Sequence, residues 1–284
     1  MTVMVRSQKL IIYHNKENVM SIKTKHNPIG GVRYYTLTVV TTPSDAVCKL
    51  TYNGNTYTSK TATVKAGTTI SYTITHSTYG TDTGSTTMYY SKKLTVTGVS
   101  TPVITERTWS RPNLTANGTL GGSSCAISAD TEASKNVPAY YAVDSSTSTQ
   151  WQSKSASSNT QRYLIFYTPT AIKLTKVVFA TPKNTSAEGL TYSWQLKDCT
   201  VYGSNTNGSW VSLGSVSGVG KVANATVTLS NTNYYKYYKF LATKTNAYSP
   251  NASYYRWACS NITMTAKYQN TTYTYSFSKT YTRT

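Results

Sequence analysis

The sequence predicts an all-β protein that contains two β-sandwiches. Tyr, Thr and Ser, which favour pleated and half-buried surfaces, are abundant, with 26 Tyr among the 284 residues. No long stretch repeats apolar residues at the helical period over several turns, so we expect almost no helix. A chain of this length can form two small sandwiches, each with its own core.

Residues 1–33 are predicted to form an N-terminal arm or anchor. They mix Lys, Asn and His with short apolar pieces and end in the turn-forming residues 27–31, Asn-Pro-Ile-Gly-Gly. The apolar run Leu10-Ile11-Ile12 is far too short for a signal peptide or a membrane span. We therefore expect synthesis in a host cytoplasm without a signal peptide, and no membrane insertion.

Residues 34–100 are predicted to form the first, smaller sandwich. Apolar residues here alternate with Thr or Ser, as half-buried strands require, at Leu37, Val39, Ile70, Tyr72, Ile74, Leu94 and Val96. Asn53-Gly54 predicts a tight hairpin, and residues 65–68, Lys-Ala-Gly-Thr, predict another turn.

The order of these motifs resembles the PEGA-type, immunoglobulin-like modules of phage and bacterial surface proteins. The resemblance depends on residues 42–47 (Thr-Pro-Ser-Asp-Ala-Val), on Tyr52-Asn53-Gly54, and on residues 64–74 from Val64 to Ile74. Such motifs define turns and core positions. The resemblance therefore implies a spacer or display domain without catalysis.

Residues 101–124 are predicted to be a linker. They contain Pro102, Pro112, Asn117-Gly118 and Gly121-Gly122, and such residues are typical of loops. Trp109 stands alone among polar neighbours and is expected to cap the core of the next domain.

Residues 125–268 carry two signatures in order. Residues 142–151 fit the pattern A-x-D-x-x-x-x-T-x-W, and residues 201–213 fit V-x-G-S-N-x-x-x-x-W-x-x-L. This half of the chain resembles the discoidin family, also called coagulation-factor type C domains and close to galactose-binding modules. The resemblance implies a jelly-roll β-sandwich that binds through loops at one end.

Residues 269–284 are predicted to form a C-terminal strand or tail, because Tyr273, Tyr275 and Phe277 alternate with Thr and Ser. This strand could pair with the N-terminal domain or with another subunit. Exposed edge strands of this kind lead us to expect a homo-oligomer.

The chain is strongly basic, with 28 Lys and Arg against 9 Asp and Glu, a net charge of +19. The basic residues are scattered singly, so a solvated surface is favoured over a nucleic-acid interface. Attraction to acidic polysaccharide, anionic lipid or an acidic assembly partner stays open. The four cysteines form no CxxC pair, which argues against a zinc ribbon or a redox motif.

The residues argue against an enzyme. The three histidines, His14, His26 and His76, all lie outside the discoidin-like half, and no nucleophile, base and acid occur at a meaningful spacing. The close carboxylates Asp130 and Glu132 could be a glycosidase pair. A turn or cap role is favoured for them.

Three loops of the discoidin-like half, residues 135–141, 181–192 and 244–256, are predicted to bind a glycan or a protein partner. The residues expected to contact the ligand are aromatic, amide or basic: Tyr140, Tyr141, Lys183, Tyr192, Asn246, Tyr248, Tyr254 and Arg256. Trp151, Trp194 and Trp210 could form a sugar platform, but core burial is favoured for them. Trp257 stays ambiguous.

Many discoidin relatives bind a structural calcium through an Asp and a Thr of the D-x-x-x-x-T turn and a Glu before the last strand. Asp144 with Thr147 or Thr149 matches the first part, which makes Asp144 the metal candidate. The Glu position falls near Asn261, and an amide in place of a carboxylate weakens a calcium site. We therefore expect no cofactor, and we expect Asp144 to accept N–H bonds within its own turn.

Together these features predict a bacteriophage virion protein, such as a head decoration, head fibre or tail appendage. Its partners would be other virion proteins and a host cell-surface polysaccharide. The alternative is a bacterial carbohydrate-binding adhesin or an accessory module of a secreted glycoside hydrolase.

Overall fold

The computed structural model describes residues 31–156, 160–182, 194–246 and 255–284, together with the backbone of two short strands at Ile12–Tyr13 and Ser21–Ile22. The chain divides into two compact units. Unit 1 comprises Met1–Pro102 and Tyr273–Thr284, and unit 2 comprises Val103–Thr272. Apart from one short 3-10 turn, the described elements are strands, which confirms the all-β prediction.

The strands of unit 1 are β1 (Ile12–Tyr13), β2 (Ser21–Ile22), β3 (Tyr34–Thr42), β4 (Val47–Tyr52), β5 (Asn55–Thr58), β6 (Thr61–Lys65), β7 (Thr69–His76), β8 (Gly80–Thr87) and the first part of β9 (Lys92–Trp109). Strands β5-β4-β7-β8 form an antiparallel sheet. In a second layer β3 pairs with β6 antiparallel and with β9 in parallel.

The alternation seen in the sequence produces the core of unit 1. Leu37, Ile70, Ile74 and Leu94 are fully buried, whereas the Thr residues between them face outwards. The two-residue hairpin between β4 and β5 contains Asn53 and Gly54, both at positive φ (51° and 78°). These angles are those of the turn that Asn-Gly favours, so the predicted hairpin is confirmed.

The elements of unit 2 are the end of β9, β10 (Ala126–Ala129), the 3-10 turn Ala139–Ala142, β11 (Trp151–Gln152), β12 (Arg162–Ala180), β13 (Leu196–Ser204), β14 (Val211–Val216), β15 (Asn224–Thr228), β16 (Tyr235–Thr245), β17 (Ala258–Cys259) and most of β18 (Asn261–Arg283). The stretch 101–124, expected to be a linker, thus includes the second half of β9.

Strand β12 belongs to both layers of the unit 2 sandwich. Its first half pairs with β10 and β16, and its second half pairs with β15 and β18. The register shifts between Tyr167 and Ile172, a segment that contains Pro169. Proline cannot donate to a ladder and is tolerated at such irregularities. The bulge therefore lets one strand pass from one layer to the other.

The core of unit 2 lies between these layers and is rich in aromatic rings. Phe179 packs edge-to-face on Phe240 and on Trp257, with ring centroids 5.4 and 5.6 Å apart. Trp109 packs on Phe166 at 6.0 Å, which confirms that it caps this core. No helix within the described residues is long and apolar enough to cross a membrane.

All four cysteines are free thiols. Cys48, Cys199 and Cys259 are buried, and burial raises the pKa of each thiol, that of Cys259 to about 12. A protonated buried thiol behaves as a small apolar side chain. The cysteines therefore contribute packing.

Candidate functional site

The end of unit 2 where β11 meets β17 is held by a backbone ladder. Trp151 and Gln152 pair with Cys259 and Ala258, and the pairing continues through a bridge between Ala156 and Tyr255. The Ser153 hydroxyl also accepts a hydrogen bond from the Trp257 amide at 2.9 Å. This ladder fixes the backbone on both sides of Arg256.

The Arg256 side chain lies over the indole of Trp194, with Cζ 4.7 Å from the ring centroid. Its Nη1 donates to Gln152 Oε1 at 2.7 Å, and its Nε donates to Ser155 Oγ at 3.1 Å. The side chains of Arg256 and Trp194 are both half-buried. We call Trp194, Arg256, Gln152 and Ser155 the Trp194 cluster.

Trp194 lies at φ 63°, a left-handed backbone angle that a bulky residue rarely adopts. Its carbonyl accepts from the Ala258 amide at 2.9 Å, which ties it to β17. Uncommon backbone angles of this kind are maintained by the surrounding structure and concentrate at functional sites. The fold thus holds an indole and a guanidinium together at one partly exposed position.

Gln195, the next residue after Trp194, is buried. Its Oε1 accepts from the Val222 amide at 2.8 Å, and its carbonyl accepts from the Asn246 amide at 2.8 Å. Among the described residues no acceptor lies within reach of Gln195 Nε2. A buried amide donor of this kind is costly unless some group satisfies it.

The structure places the predicted site residues in different surroundings. Arg256 belongs to the Trp194 cluster. The Asn246 side chain donates to the Val219 carbonyl at 3.1 Å and so closes a loop. Tyr140 and Tyr141 contact each other with ring centroids 4.7 Å apart. Lys183, Tyr192, Tyr248 and Tyr254 lie outside the described residues.

The tryptophans divide between core and surface. Trp151 and Trp257 are fully buried, which confirms core burial for Trp151 and settles the position of Trp257. Core burial was wrong for Trp194 and for Trp210, which are half-exposed. Trp210 lies beneath Lys239, whose Nζ is 5.6 Å from the ring centroid. The sequence analysis also missed Gln152 and Ser155 as members of the Trp194 cluster, since neither residue belongs to a binding motif.

The two close carboxylates stabilise loops. Glu132 Oε1 accepts from the Ala139 amide at 2.7 Å and from Asn117 Nδ2 at 3.2 Å. Asp130 accepts from the Tyr163 amide at 3.3 Å and pairs with Arg162 at 3.7 Å. Burial raises the pKa of Asp130. These bonds fit the turn and cap role that the sequence favoured.

Outside unit 2, His76 Nε2 lies 3.4 Å from Asp45.

Asp144, the metal candidate, has both carboxylate oxygens occupied by its own turn. Oδ1 accepts from the Ser146 amide at 2.9 Å, and Oδ2 accepts from the Thr149 hydroxyl at 2.6 Å. The prediction that Asp144 bonds N–H groups of its own turn is confirmed. No group of three or more His, Cys, Asp or Glu suited to a metal ion occurs in the described ranges.

A shallow groove of about 440 Å³ lies near this turn, at the end of β9 and the start of β18. Trp109, Arg111, Ser145 and Asn261 line it together with threonines of β18. This groove was not predicted from the sequence, because its two sides lie about 150 positions apart along the chain.

No family model and no curated protein matches this sequence. Several solved structures are similar to part of it. One is CBM32-3 from a family 31 glycoside hydrolase of Clostridium perfringens, at 15% identity, covering 51% of this chain and 91% of that chain with a TM-score of 0.41. Another is a chitosan-binding module from a chitosanase/glucanase of Paenibacillus sp. IK-5, at 15% identity, 54% and 98% coverage and a TM-score of 0.39.

A third similar structure is a family 32 CBM from Clostridium perfringens in complex with galactose, at 16% identity, 51% and 93% coverage and a TM-score of 0.38. At identities and TM-scores this low, the ligands of those modules cannot be assigned to this chain. Its function has to be argued from its own side chains.

Proposed function

We propose that unit 2 is a non-catalytic carbohydrate-binding module and that the Trp194 cluster contacts the sugar. The observation that carries the proposal is the Arg256 guanidinium held 4.7 Å above a half-exposed indole. This arrangement fixes a guanidinium, which can donate to sugar hydroxyls, over an aromatic ring whose uncovered surface can pack against a sugar.

Three further features support this proposal. The signatures at residues 142–151 and 201–213 resemble those of galactose-binding-like domains. In the sequence, Trp194 closely follows the loop 181–192 and Arg256 ends the loop 244–256, two of the three loops expected to bind ligand. The net charge of +19 also favours attraction to acidic polysaccharides over a Debye length.

The test is binding of the full-length protein to a glycan array, followed by affinity measurements on any hit. Trp194→Ala and Arg256→Ala are expected to weaken binding at least about tenfold, as loss of a central anchor does. Trp210→Ala and Lys239→Ala are the matched controls, because they remove another cation–aromatic contact of unit 2.

Unchanged thermal unfolding of the four variants would show that each one still folds. If no glycan binds, or if the Trp194 cluster variants bind as well as the controls, the proposal fails. Binding lost in all four variants would also contradict it, since the effect would then not depend on this cluster.

The wider setting of this module stays a prediction. The predictions of a virion location and of virion proteins as partners rest on the Thr-, Ser- and Tyr-rich composition. The prediction of a homo-oligomer rests on exposed strand edges. Carbohydrate binding suits the adhesin or accessory-module alternative better, because it requires neither a virion nor an assembly.

A further inference from the structure

The guanidinium of Arg111 is surrounded by oxygen atoms from separate parts of unit 2. It donates to the carbonyls of Pro112, at 2.9 Å, and of Val143, and also to Ser145 Oγ at 3.0 Å and Asn261 Oδ1 at 3.1 Å. Val143 and Ser145 flank Asp144, and Asn261 begins β18. One side chain therefore joins the end of β9, the Asp144 turn and the last strand.

These contacts lie where the discoidin resemblance places a structural calcium. The residues of this chain do not fit that ion. Both carboxylate oxygens of Asp144 accept hydrogen bonds within its own turn. Asn261 stands at the position expected to be Glu, and its Oδ1 accepts a hydrogen bond from the Arg111 guanidinium. A calcium ion needs six to eight oxygen ligands and usually several carboxylates. Here a cationic side chain bonds Asn261 and the oxygens of Val143 and Ser145 on either side of Asp144.

The electrostatics suit a resident cation. Burial lowers the pKa of Arg111, and the nearby charge of Asp144 opposes that shift. An arginine stays protonated in proteins, and its planar fork can serve several acceptors at once. Arg111 therefore supplies a permanent positive charge beside Asp144.

We propose that Arg111 is a built-in replacement for the structural calcium of discoidin-like domains, so that unit 2 is cross-linked here without any metal. The proposal does not depend on carbohydrate binding. It concerns the folding stability of unit 2 and its response to calcium.

The first test is the thermal unfolding of the full-length protein in a chelator and in excess calcium. All five tryptophans lie in residues 103–272, so tryptophan fluorescence reports on unit 2. The Tm is expected to be the same in both solutions. A Tm that falls in chelator, or rises with calcium, would overturn the proposal without the need for any variant.

The second test changes Arg111 itself. Arg111→Met should lower the Tm by about 5–10 °C, because several charge-assisted hydrogen bonds are lost at once. Arg107→Met is the matched control, since Arg107 lies on β9 four positions before Arg111 and is exposed. Equal Tm values for the two variants would contradict a cross-linking role for Arg111.

The double variant Arg111→Ala/Asn261→Glu tests whether the guanidinium occupies a cation position. Removing the side chain releases the oxygens, and the new carboxylate supplies the missing anionic ligand. Its Tm should rise with calcium while that of the native protein does not. If the double variant folds but its Tm does not respond to calcium, the Arg111 guanidinium does not occupy the position of a calcium ion, and the proposal is contradicted.

Discussion

The indole rings of Trp151 and Trp257 meet edge to face, with centroids 5.1 Å apart and planes at 86°. Trp151 begins the short β11 strand, and Trp257 precedes its partner β17, so this contact fastens the ladder that supports Arg256. A fully buried aromatic pair of unit 2 thus lies next to the residues that we propose to bind sugar.

Truncation of Trp257 should destabilise unit 2 strongly. Trp257→Ala removes a fully buried indole that also packs on Phe179, and such a cavity costs about 3–5 kcal/mol. Urea unfolding followed by fluorescence measures the change. Trp210→Ala, at a half-exposed site, should cost much less, and equal losses for the two variants would contradict the burial described for Trp257.

Glu106 should make unit 2 sensitive to acid. Its carboxylate is bonded by Lys173, Lys267 and Tyr234, and these contacts lower its pKa from 4.5 to about 2. A carboxyl with a depressed pKa stabilises the folded state above its unfolded pKa and loses that contribution as the pH falls through the folded value. The contribution is therefore expected to disappear between pH 4.5 and pH 2.

Glu106→Gln tests this expectation, because the amide cannot titrate. The variant should lose less stability than the native protein when the pH is lowered through this range, as measured by Tm at successive pH values. Parallel curves for the two proteins would show that Glu106 contributes nothing to acid sensitivity.

Tyr238 should be needed for its hydroxyl as well as for its ring. The buried hydroxyl donates to the Ile172 carbonyl and accepts from the Leu174 amide at 3.4 Å, at the end of the bulge in β12. Burial raises its pKa far above the ordinary value. Tyr238→Phe leaves a buried carbonyl without its donor, which should cost about 1–3 kcal/mol.

Urea unfolding of Tyr238→Phe measures that cost. Tyr163→Phe is a suitable control, because Tyr163 is only half-buried and its ring lies against Lys239. A Tyr238→Phe variant as stable as the control would mean that the hydroxyl is not required.

The C-terminal strand should stabilise unit 1. Phe277 packs against the unit 1 core, Lys279 pairs with Asp82 at 3.0 Å, and Tyr281 bonds the Tyr72 hydroxyl at 3.2 Å. Phe277→Ala should increase hydrogen exchange in β7 and β8, whereas Tyr273→Ala, at an exposed site, should not. Unchanged exchange in both variants would argue against this role.

The sequence predicted the parts of the fold that depend on local patterns. Leu37, Ile70 and Ile74 are buried because a strand alternates its faces, and Asn53-Gly54 turns where its positive φ angles allow. The aromatic cap at Trp109 was also predictable, since a lone tryptophan among polar residues has few other places to pack.

The contacts at the candidate sites could not be read in the same way. Arg111 lies in a stretch that looks like a linker, and its partner Asn261 is 150 positions away. Trp194 is half-buried and has a left-handed backbone angle that no local motif predicts. The Arg111–Asn261 contact and the conformation of Trp194 both depend on tertiary contacts, which cannot be inferred from a single sequence.

The division of unit 1 between Met1–Pro102 and Tyr273–Thr284 has a consequence for synthesis. A ribosome completes all of unit 2 before it makes the strand that carries Phe277 and Tyr281. Unit 2 can therefore fold as a continuous segment while unit 1 still waits for its final strand. During that interval the unit 1 core is open along one side, and a segment from a second nascent chain could compete for the same place.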